Sequence, residues 1–243
     1  PVALGTEAKR LCMRTPGGNR LVYPLGGGME SDNLDFIARL LGYHTAQNRG
    51  SRLFRPKVAV AVSPDITDAD EELFTEAVLA AGAAEAVLIE APLAAAAGAG
   101  RDVYSIKPTV VVDAGASKTA AAIIADGKVK HYAVTMTGGN TIDEVIADYM
   151  QSKYRLILSH EAAEELKTMY LSLDPKRSDK VAEVTGVGAV SRLPQTVTVR
   201  AAELAAVALV PAMGISDLVC QVLDKLTAEY GDQHAAGATV IVG

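Results

Sequence analysis

Tryptophan is absent from this 243-residue sequence, and phenylalanine occurs only three times. A folded core must therefore be built from aliphatic side chains, which the 49% hydrophobic content supplies in ample amount. Cysteine is also scarce, because Cys12 and Cys220 are the only two and fit no metal-ligand spacing. They are predicted to be reduced core thiols of a cytoplasmic protein.

An excess of basic charge is missing as well. The formal net charge is −6 and the isoelectric point is about 5.3. The sequence thus lacks the electrostatic signature of nucleic-acid binding, and no nucleic-acid partner is expected. No run is predicted to be long and apolar enough to span a bilayer, since the alanine-rich segment 91–100 is short and contains Pro92.

The most informative pattern that is present begins at Thr109. An apolar, β-branched run ends at Asp113, small residues follow it, and a second apolar run starts at Thr119. Such a turn places a carboxylate beside backbone N–H groups that can face a phosphate. The alternative is an ordinary β-hairpin with a small-residue turn, and the turn taken alone leaves both possibilities open.

The order of predicted elements, with strands and helices alternating, indicates an α/β fold. Thr67 and Asp68 are both candidate N-caps for the second helix. The start at Pro1 and the end at Gly243, just past an apolar run, predict a trimmed chain. Strands are predicted at 57–63, 86–90, 109–113, 119–125, 128–135, 181–187, 196–199 and 240–242. Helices are predicted at 32–43, 65–81, 92–99, 141–154, 159–171, 201–209 and 215–230.

Five segments taken in order carry a resemblance to a known family. They are residues 5–9 with 14–17 (GTEAK and RTPG), 82–100 (GAAEAVLIEAPLAAAAGAG), 111–115 (VVDAG), 138–144 (GGNTIDE) and 163–167 (AEELK). The chain resembles the MreB/Mbl family of rod-shape cytoskeletal proteins, within the actin and chaperone-ATPase superfamily. The resemblance extends over nearly the whole chain.

The resemblance implies an actin-like ATPase fold of two ribonuclease-H-like lobes that close on ATP or ADP and Mg²⁺. Residues 1–107 would form a partial lobe I, without its first hairpin and its last helix, and residues 108–243 would form lobe II. The family's members form head-to-tail filaments, so self-association is implied. It also implies a cytoplasmic protein, peripheral on the inner membrane, that serves cell shape together with the wall-synthesis machinery.

The resemblance also implies roles for individual residues. Asp113 would be the catalytic carboxylate and would hold Mg²⁺ through water. Asn140 has an alternative role as N-cap of a helix beginning at Thr141, and Glu164 with Lys167 could instead be a surface ion pair. The residues implied to bind the nucleotide are Asp113, Gly115, Ala116, Ser117, Gly138, Gly139, Asn140, Glu164, Lys167 and Gly243.

Two departures from the family pattern concern catalysis. The family has a water-positioning glutamate immediately before the proline, where this chain has Ala91. Loss of such a group typically lowers the rate about 10²–10⁴-fold, so ATP hydrolysis is expected to be slow or absent. Glu90 is a weak candidate substitute, because on a strand its side chain would point to the opposite face. Ala116 replaces a family glycine and is expected to adapt the turn less well to phosphate.

A short basic and apolar segment resembles the family's membrane-inserting loop. Arg52 and Arg55 flank Leu53 and Phe54, so the basic side chains would meet anionic headgroups while the apolar pair inserts. In the alternative, Leu53 and Phe54 pack onto the neighbouring strand.

The sequence and the resemblance suggest three possible functions. The first is a membrane-associated, ATP-binding filament protein, and the second is a degenerate actin-like interaction module with little or no turnover. The third, a sugar kinase or chaperone ATPase of the same superfamily, is disfavoured because no sugar site or peptide-binding domain is recognisable.

Overall fold

The computed structural model describes residues 3–5, 7–8, 11, 34–47, 55–174, 176, 179–231 and 239–243. The helices are α1 (Leu34–Gln47), α2 (Asp68–Ala80), α3 (Ala91–Gly98), α4 (Gly139–Tyr154), α5 (His160–Tyr170) and α6 (Ala201–Tyr230). The strands are β1 (Lys57–Val62), β2 (Glu85–Glu90), β3 (Thr109–Ala114), β4 (Thr119–Ala125), β5 (Lys128–Thr135), β6 (Leu156–Ile157), β7 (Val181–Gly188), β8 (Pro194–Arg200) and β9 (Thr239–Val242).

The chain separates into two compact units, Pro1–Ala94 (unit 1) and Ala95–Gly243 (unit 2). In unit 1, β1 and β2 pair in parallel, with Val60 opposite Leu88, and α2 makes the crossover between them. The predicted lobe boundary at residue 107 stays a prediction.

The N-terminus of α2 is fixed by a reciprocal capping box. The Thr67 hydroxyl accepts from the Asp70 N–H at 3.2 Å, and the Asp70 carboxylate accepts from the Thr67 N–H at 3.1 Å. Of the two candidate caps, Thr67 is therefore the one used. Ala77 and Val78 form the buried side of the helix.

Unit 2 contains a four-stranded sheet in the order β5-β4-β3-β9. The β3, β4 and β5 strands form the predicted antiparallel meander, and β9 lies parallel to β3 with Val242 opposite Asp113. One face of the sheet, to which alternate residues of each strand contribute, packs on α6. Its buried core consists of Val110, Val112, Ala121, Ile123, Leu218, Val222 and Leu226.

A second core of unit 2 lies beside the three-stranded sheet β6-β7-β8. Helices α4 and α5 and the start of α6 pack there. Its buried residues are Ile146, Met150, Leu156, Ala163, Leu166, Ala182, Val184, Val199 and Leu204.

Helix α6 corrects three expectations. It runs unbroken from Ala201 to Tyr230 with Pro211 inside it, so the predicted pair of helices at 201–209 and 215–230 is wrong. A buried face from Leu204 to Leu226 contributes to both cores, and this packing outweighs the proline's missing hydrogen bond. Cys220 is free but exposed, so its predicted core position is also wrong, whereas Cys12 lies outside the described residues.

By length and composition α6 is apolar enough to cross a membrane, contrary to the sequence expectation. Leu204, Leu218, Val222 and Leu226 pack into the two cores, whereas Leu209, Val210 and Met213 are exposed.

A charged cluster ties the end of α4 to the first turn of α6. One carboxylate oxygen of Glu203 accepts from the Tyr149 hydroxyl at 2.5 Å, Lys153 Nζ at 2.6 Å and the Tyr154 hydroxyl at 2.8 Å. The hydrogen bonds from Lys153, and next from Tyr149, lower the pKa of Glu203 to about 2. Burial and the neighbouring Glu203 raise the pKa of both tyrosines.

Replacing Glu203 with glutamine is expected to lower the unfolding free energy at pH 7 by about 1–2 kcal/mol, since the charge-assisted bonds are lost. The folded-state pKa of Glu203 lies below the ordinary value of 4.5, so its stabilisation is present above pH 4.5 and is lost as the pH falls towards 2. Urea unfolding should show the unfolding free energies of wild type and Glu203→Gln converging as the pH falls from 4.5 towards 2. The exposed Glu165→Gln is the control, and a pH-independent difference between wild type and Glu203→Gln would contradict this account.

Candidate functional site

The turn between β3 and β4 presents backbone donors beside a carboxylate. Asp113 is half-buried and pairs with Ala120 on β4 and Val242 on β9. The Gly115 N–H donates to the Lys118 carbonyl at 3.0 Å and closes the turn. The exposed Ala116 and Ser117 come next, and within the described residues neither of their N–H groups donates to a protein acceptor.

Alanine at position 116 does not strain this turn. Neither Gly115 nor Ala116 has a positive φ, so a Cβ is compatible with the backbone conformation found here. The turn therefore leaves the Ala116 and Ser117 N–H groups without a described acceptor, and it does not require glycine at position 116.

The start of α4 lies directly against this turn. The helix begins at Gly139 with Gly138 as N-cap, so the prediction of Asn140 as N-cap is wrong. The physical reason is space: a Cβ on Gly138 would lie 2.5 Å from the Ala116 carbonyl oxygen and 2.7 Å from that of Gly115. Only glycine allows this approach, and the Thr141 hydroxyl accepts the Gly138 N–H at 3.3 Å.

Hydrogen bonds join the helix start to the turn. The Gly139 N–H donates to the Gly115 carbonyl at 3.0 Å, and the Asn140 N–H donates to the Ala116 carbonyl at 2.7 Å. The buried Thr119 hydroxyl donates to the Thr137 carbonyl at 2.7 Å and anchors the segment that precedes the helix. The helix-start N–H groups thus hold the turn in place, while those of the exposed Ala116 and Ser117 donate to no acceptor among the described residues.

Lys167 reaches the same place from α5. Its Nζ donates to the Gly139 carbonyl at 3.0 Å and forms an ion pair with Asp143 Oδ2 at 2.8 Å. Glu164 is half-buried one turn earlier on α5. The ion pair that the structure gives to Lys167 is therefore with Asp143, a residue that the sequence analysis missed.

A signal for Asp143 was present in the sequence. It lies three residues before Ile146 and seven before Met150, and these three are the buried residues of α4. A carboxylate on the apolar side of a helix requires a partner, because an unpaired buried charge is costly. That spacing could have singled it out.

Gly243 also joins this group. Because β9 is parallel to β3, its end lies beside the end of β3, and a Cβ on Gly243 would lie 2.5 Å from the Ala114 carbonyl oxygen. The structure therefore brings together, within unit 2, the β3–β4 turn, the start of α4, Lys167 and Gly243.

The remaining predicted residues lie elsewhere in the chain. Glu90 is the last residue of β2 and Ala91 the first of α3, both half-buried and both in unit 1. Arg52, Leu53 and Phe54 lie outside the described residues, and Arg55 is exposed.

Comparison with known proteins gives one consistent result. The sequence model described as "MreB/Mbl protein" matches residues 1–243. The chain is 26% identical to the cell shape-determining protein Mbl of Bacillus subtilis over 100% of its own length and 73% of that protein's. It is 29% identical to the cell shape-determining protein MreB of Escherichia coli K12, over 99% of its own length and 70% of that protein's.

Solved structures show the same fold. The crystal structure of MreB5 of Spiroplasma citri bound to AMPPNP superposes with a TM-score of 0.87 at 24% identity, covering 99% of this chain and 73% of that one. A MamK double helical filament gives a TM-score of 0.70 at 16% identity, covering 90% and 66%. The predicted actin-like α/β fold is confirmed, and the chain belongs to the MreB/Mbl family of actin-like, cell shape-determining proteins.

Proposed function

We propose that the chain binds an adenine nucleotide, ATP or ADP, with its phosphates on the turn between β3 and β4. The observation that carries the proposal is the pair of N–H groups of the exposed Ala116 and Ser117, which donate to no described acceptor in a turn that the start of α4 holds in place. Successive backbone N–H groups in a turn make an anion-binding concavity. The AMPPNP and ADP bound to the MreB5 structures support the same ligand class.

The residues of this turn also fit a magnesium ion bound together with the nucleotide. No cluster of three or more potential metal-ligating side chains occurs among the described residues, whereas Asp113 is a single carboxylate beside the turn. Mg²⁺ is commonly bound by one or two carboxylates, several waters and phosphate oxygens, so one carboxylate is enough. Such an ion would neutralise phosphate charge, and Asp113 would hold its hydration shell.

Replacing Asp113 with asparagine is expected to weaken ATP binding about tenfold or more with Mg²⁺ present, because the ion's carboxylate is lost. In EDTA the same substitution should have little effect. Isothermal titration in both conditions checks this, with the exposed Asp148→Asn of α4 as a matched control. Equal affinity of wild type and Asp113→Asn with Mg²⁺ would contradict the assignment.

Nucleotide turnover is slow in this proposal, because Ala91 carries no group that can polarise water. Glu90 precedes it at the end of β2 and is the weaker candidate base. Asp113 binds the metal and the nucleotide, and no other chemical role is assigned to it.

The bound nucleotide supports head-to-tail assembly into filaments that help to determine cell shape and wall synthesis. The names of the relatives as cell shape-determining proteins and the filament of MamK support this part of the proposal. A head-to-tail contact uses two different surfaces and leaves the assembly open, as a filament requires. The proposed location is the cytoplasmic side of the inner membrane.

Membrane association is proposed for the segment that contains Leu53 and Phe54. Replacing both with serine is expected to abolish most binding to anionic liposomes, because the apolar insertion is lost while the basic residues remain. Co-sedimentation with phosphatidylglycerol vesicles measures it. The second variant, Arg52→Gln with Arg55→Gln, should weaken binding mainly at low salt. Undiminished sedimentation of the Leu53→Ser, Phe54→Ser variant would overturn this proposal.

Ala91 also favours a second candidate, an actin-like interaction module that has lost turnover. The two candidates differ in assembly, because the module would bind nucleotide without forming filaments. ATP-dependent pelleting of the chain in high-speed sedimentation favours the filament protein, whereas nucleotide binding without pelleting favours the module.

A further inference from the structure

The ion pair between Asp143 and Lys167 lies at the start of α4, next to the β3–β4 turn. The Asp143 side chain is 2% exposed, and its Oδ2 binds Lys167 Nζ at 2.8 Å. Its other oxygen, Oδ1, is buried without a hydrogen-bond partner in the described structure. A buried pair with an unsatisfied oxygen is a poor source of stability, because an apolar pair of similar volume would serve as well.

The pair instead completes a chain of contacts that ends at the turn. Lys167 Nζ also binds the Gly139 carbonyl at 3.0 Å, while the Gly139 N–H binds the Gly115 carbonyl at 3.0 Å. A Cβ on Gly139 would lie 3.1 Å from Lys167 Nζ, so the ammonium lies close to the first residue of α4. Asp143 lies one turn further along the same face of α4, where it fixes the ammonium from the other side.

We propose that Asp143 is a positioning residue for nucleotide binding, and that Lys167 acts on the nucleotide through the start of α4. This inference rests on the proposed function. Asp143 holds the Lys167 ammonium against the Gly139 carbonyl, and Gly139 with Asn140 then holds the turn that presents the Ala116 and Ser117 N–H groups. Lys167 serves the phosphate end of the site, so its loss affects every nucleoside triphosphate alike.

The test combines nucleotide affinity with a local measurement on the nucleotide-free protein. Asp143→Asn, Lys167→Met and the double variant are titrated with ATP and GTP at a temperature where all remain folded. Each single variant is expected to lose about tenfold in affinity, as for one charge-assisted hydrogen bond. The double variant should lose no more than the larger single loss, because both residues act through one contact. Affinity should fall by the same factor for ATP and for GTP.

The local measurement is hydrogen exchange of the Gly139 and Asn140 amides. It should be faster in all three variants, whereas the buried amides of β3 and β4 should be unchanged. Lys167→Arg should recover part of the affinity by pairing with Asp143, which a general loss of packing would not allow.

Several results would overturn the inference. A Lys167→Met loss confined to ATP would show that Lys167 contacts the base, and additive losses would show independent roles. Unchanged exchange of Gly139 and Asn140 would remove the proposed connection between the pair and the turn, even if affinity fell. If the wild-type chain bound no nucleotide, the proposed function would fail and this role in binding with it, while the exchange data would still decide whether the pair holds the turn.

Discussion

Replacing Gly138 with alanine is expected to lower the unfolding free energy by about 2–3 kcal/mol, since the added Cβ overpacks the contact between α4 and the β3–β4 turn. The nearest atoms are backbone atoms of Gly115 and Ala116, the closest at 2.5 Å, and backbone cannot move aside as a flexible side chain can. The turn must shift away from the helix start. ATP affinity should therefore fall about tenfold or more as well.

Urea unfolding and ATP titration of the same samples check both effects. Gly98→Ala is the matched control, because Gly98 ends α3 in open space and alanine favours a helix there. Gly98→Ala should leave affinity unchanged and stability unchanged or slightly higher. A Gly138→Ala protein with wild-type stability and affinity would contradict the close packing of the turn on the helix.

Introducing a carboxylate at position 91 should give the largest gain in rate. Ala91→Glu is expected to raise ATP hydrolysis about 10²-fold or more, because a positioned carboxylate can polarise the attacking water. Stability should change little, since the residue is half-buried in the first turn of α3, where the helix dipole favours a negative charge. Phosphate release under single-turnover conditions measures the rate.

Two control variants test whether the gain in hydrolysis rate depends on a carboxylate at position 91. Ala91→Gln has nearly the same size without the charge and should give no comparable gain. Glu90→Gln should leave the slow wild-type rate unchanged. If the wild-type chain already hydrolyses ATP rapidly and Ala91→Glu does not change that rate, position 91 is not the missing water-positioning group.

Much of the fold was accessible from the sequence because its signals are local. The apolar run before Asp113, the Asp126-Gly127 turn and the Thr67 cap each specify structure within a few residues. The meander from β3 to β5 and the capped helix α2 follow from them. The order of such local elements also carried the family resemblance, which the comparisons confirm.

The features that sequence reasoning missed depend on distant contacts. The sequence predicted two separate helices at 201–209 and 215–230, but burial of Leu204 in one core and Leu218 in the other holds α6 together as one helix. Asn140 has the chemistry of an N-cap, yet Gly138 takes that position because of carbonyl groups more than twenty residues earlier in the chain. Local propensity contains no information about either contact.

The candidate site likewise combines features that follow from local sequence with a contact between distant residues. The turn that follows β3, with the Asp113 carboxylate beside it, could be anticipated from residue types at adjacent positions. The spacing of Asp143 with Ile146 and Met150 marks it as a buried carboxylate. Its pairing with Lys167 could not be anticipated, because the two are 24 residues apart and the nearer Glu164 offers an equally plausible helical pair. Burial determines which carboxylate pairs with Lys167, since a carboxylate on the apolar face of α4 needs a cation.

We expect the chain to bind ATP at the β3–β4 turn and to hydrolyse it slowly. A titration of the chain with ATP and Mg²⁺, with phosphate release followed in the same sample, measures both properties. Binding should be saturable at one site, with phosphate release close to the background rate. Rapid phosphate release, or no saturable binding by a folded chain, would show that the proposed function is wrong.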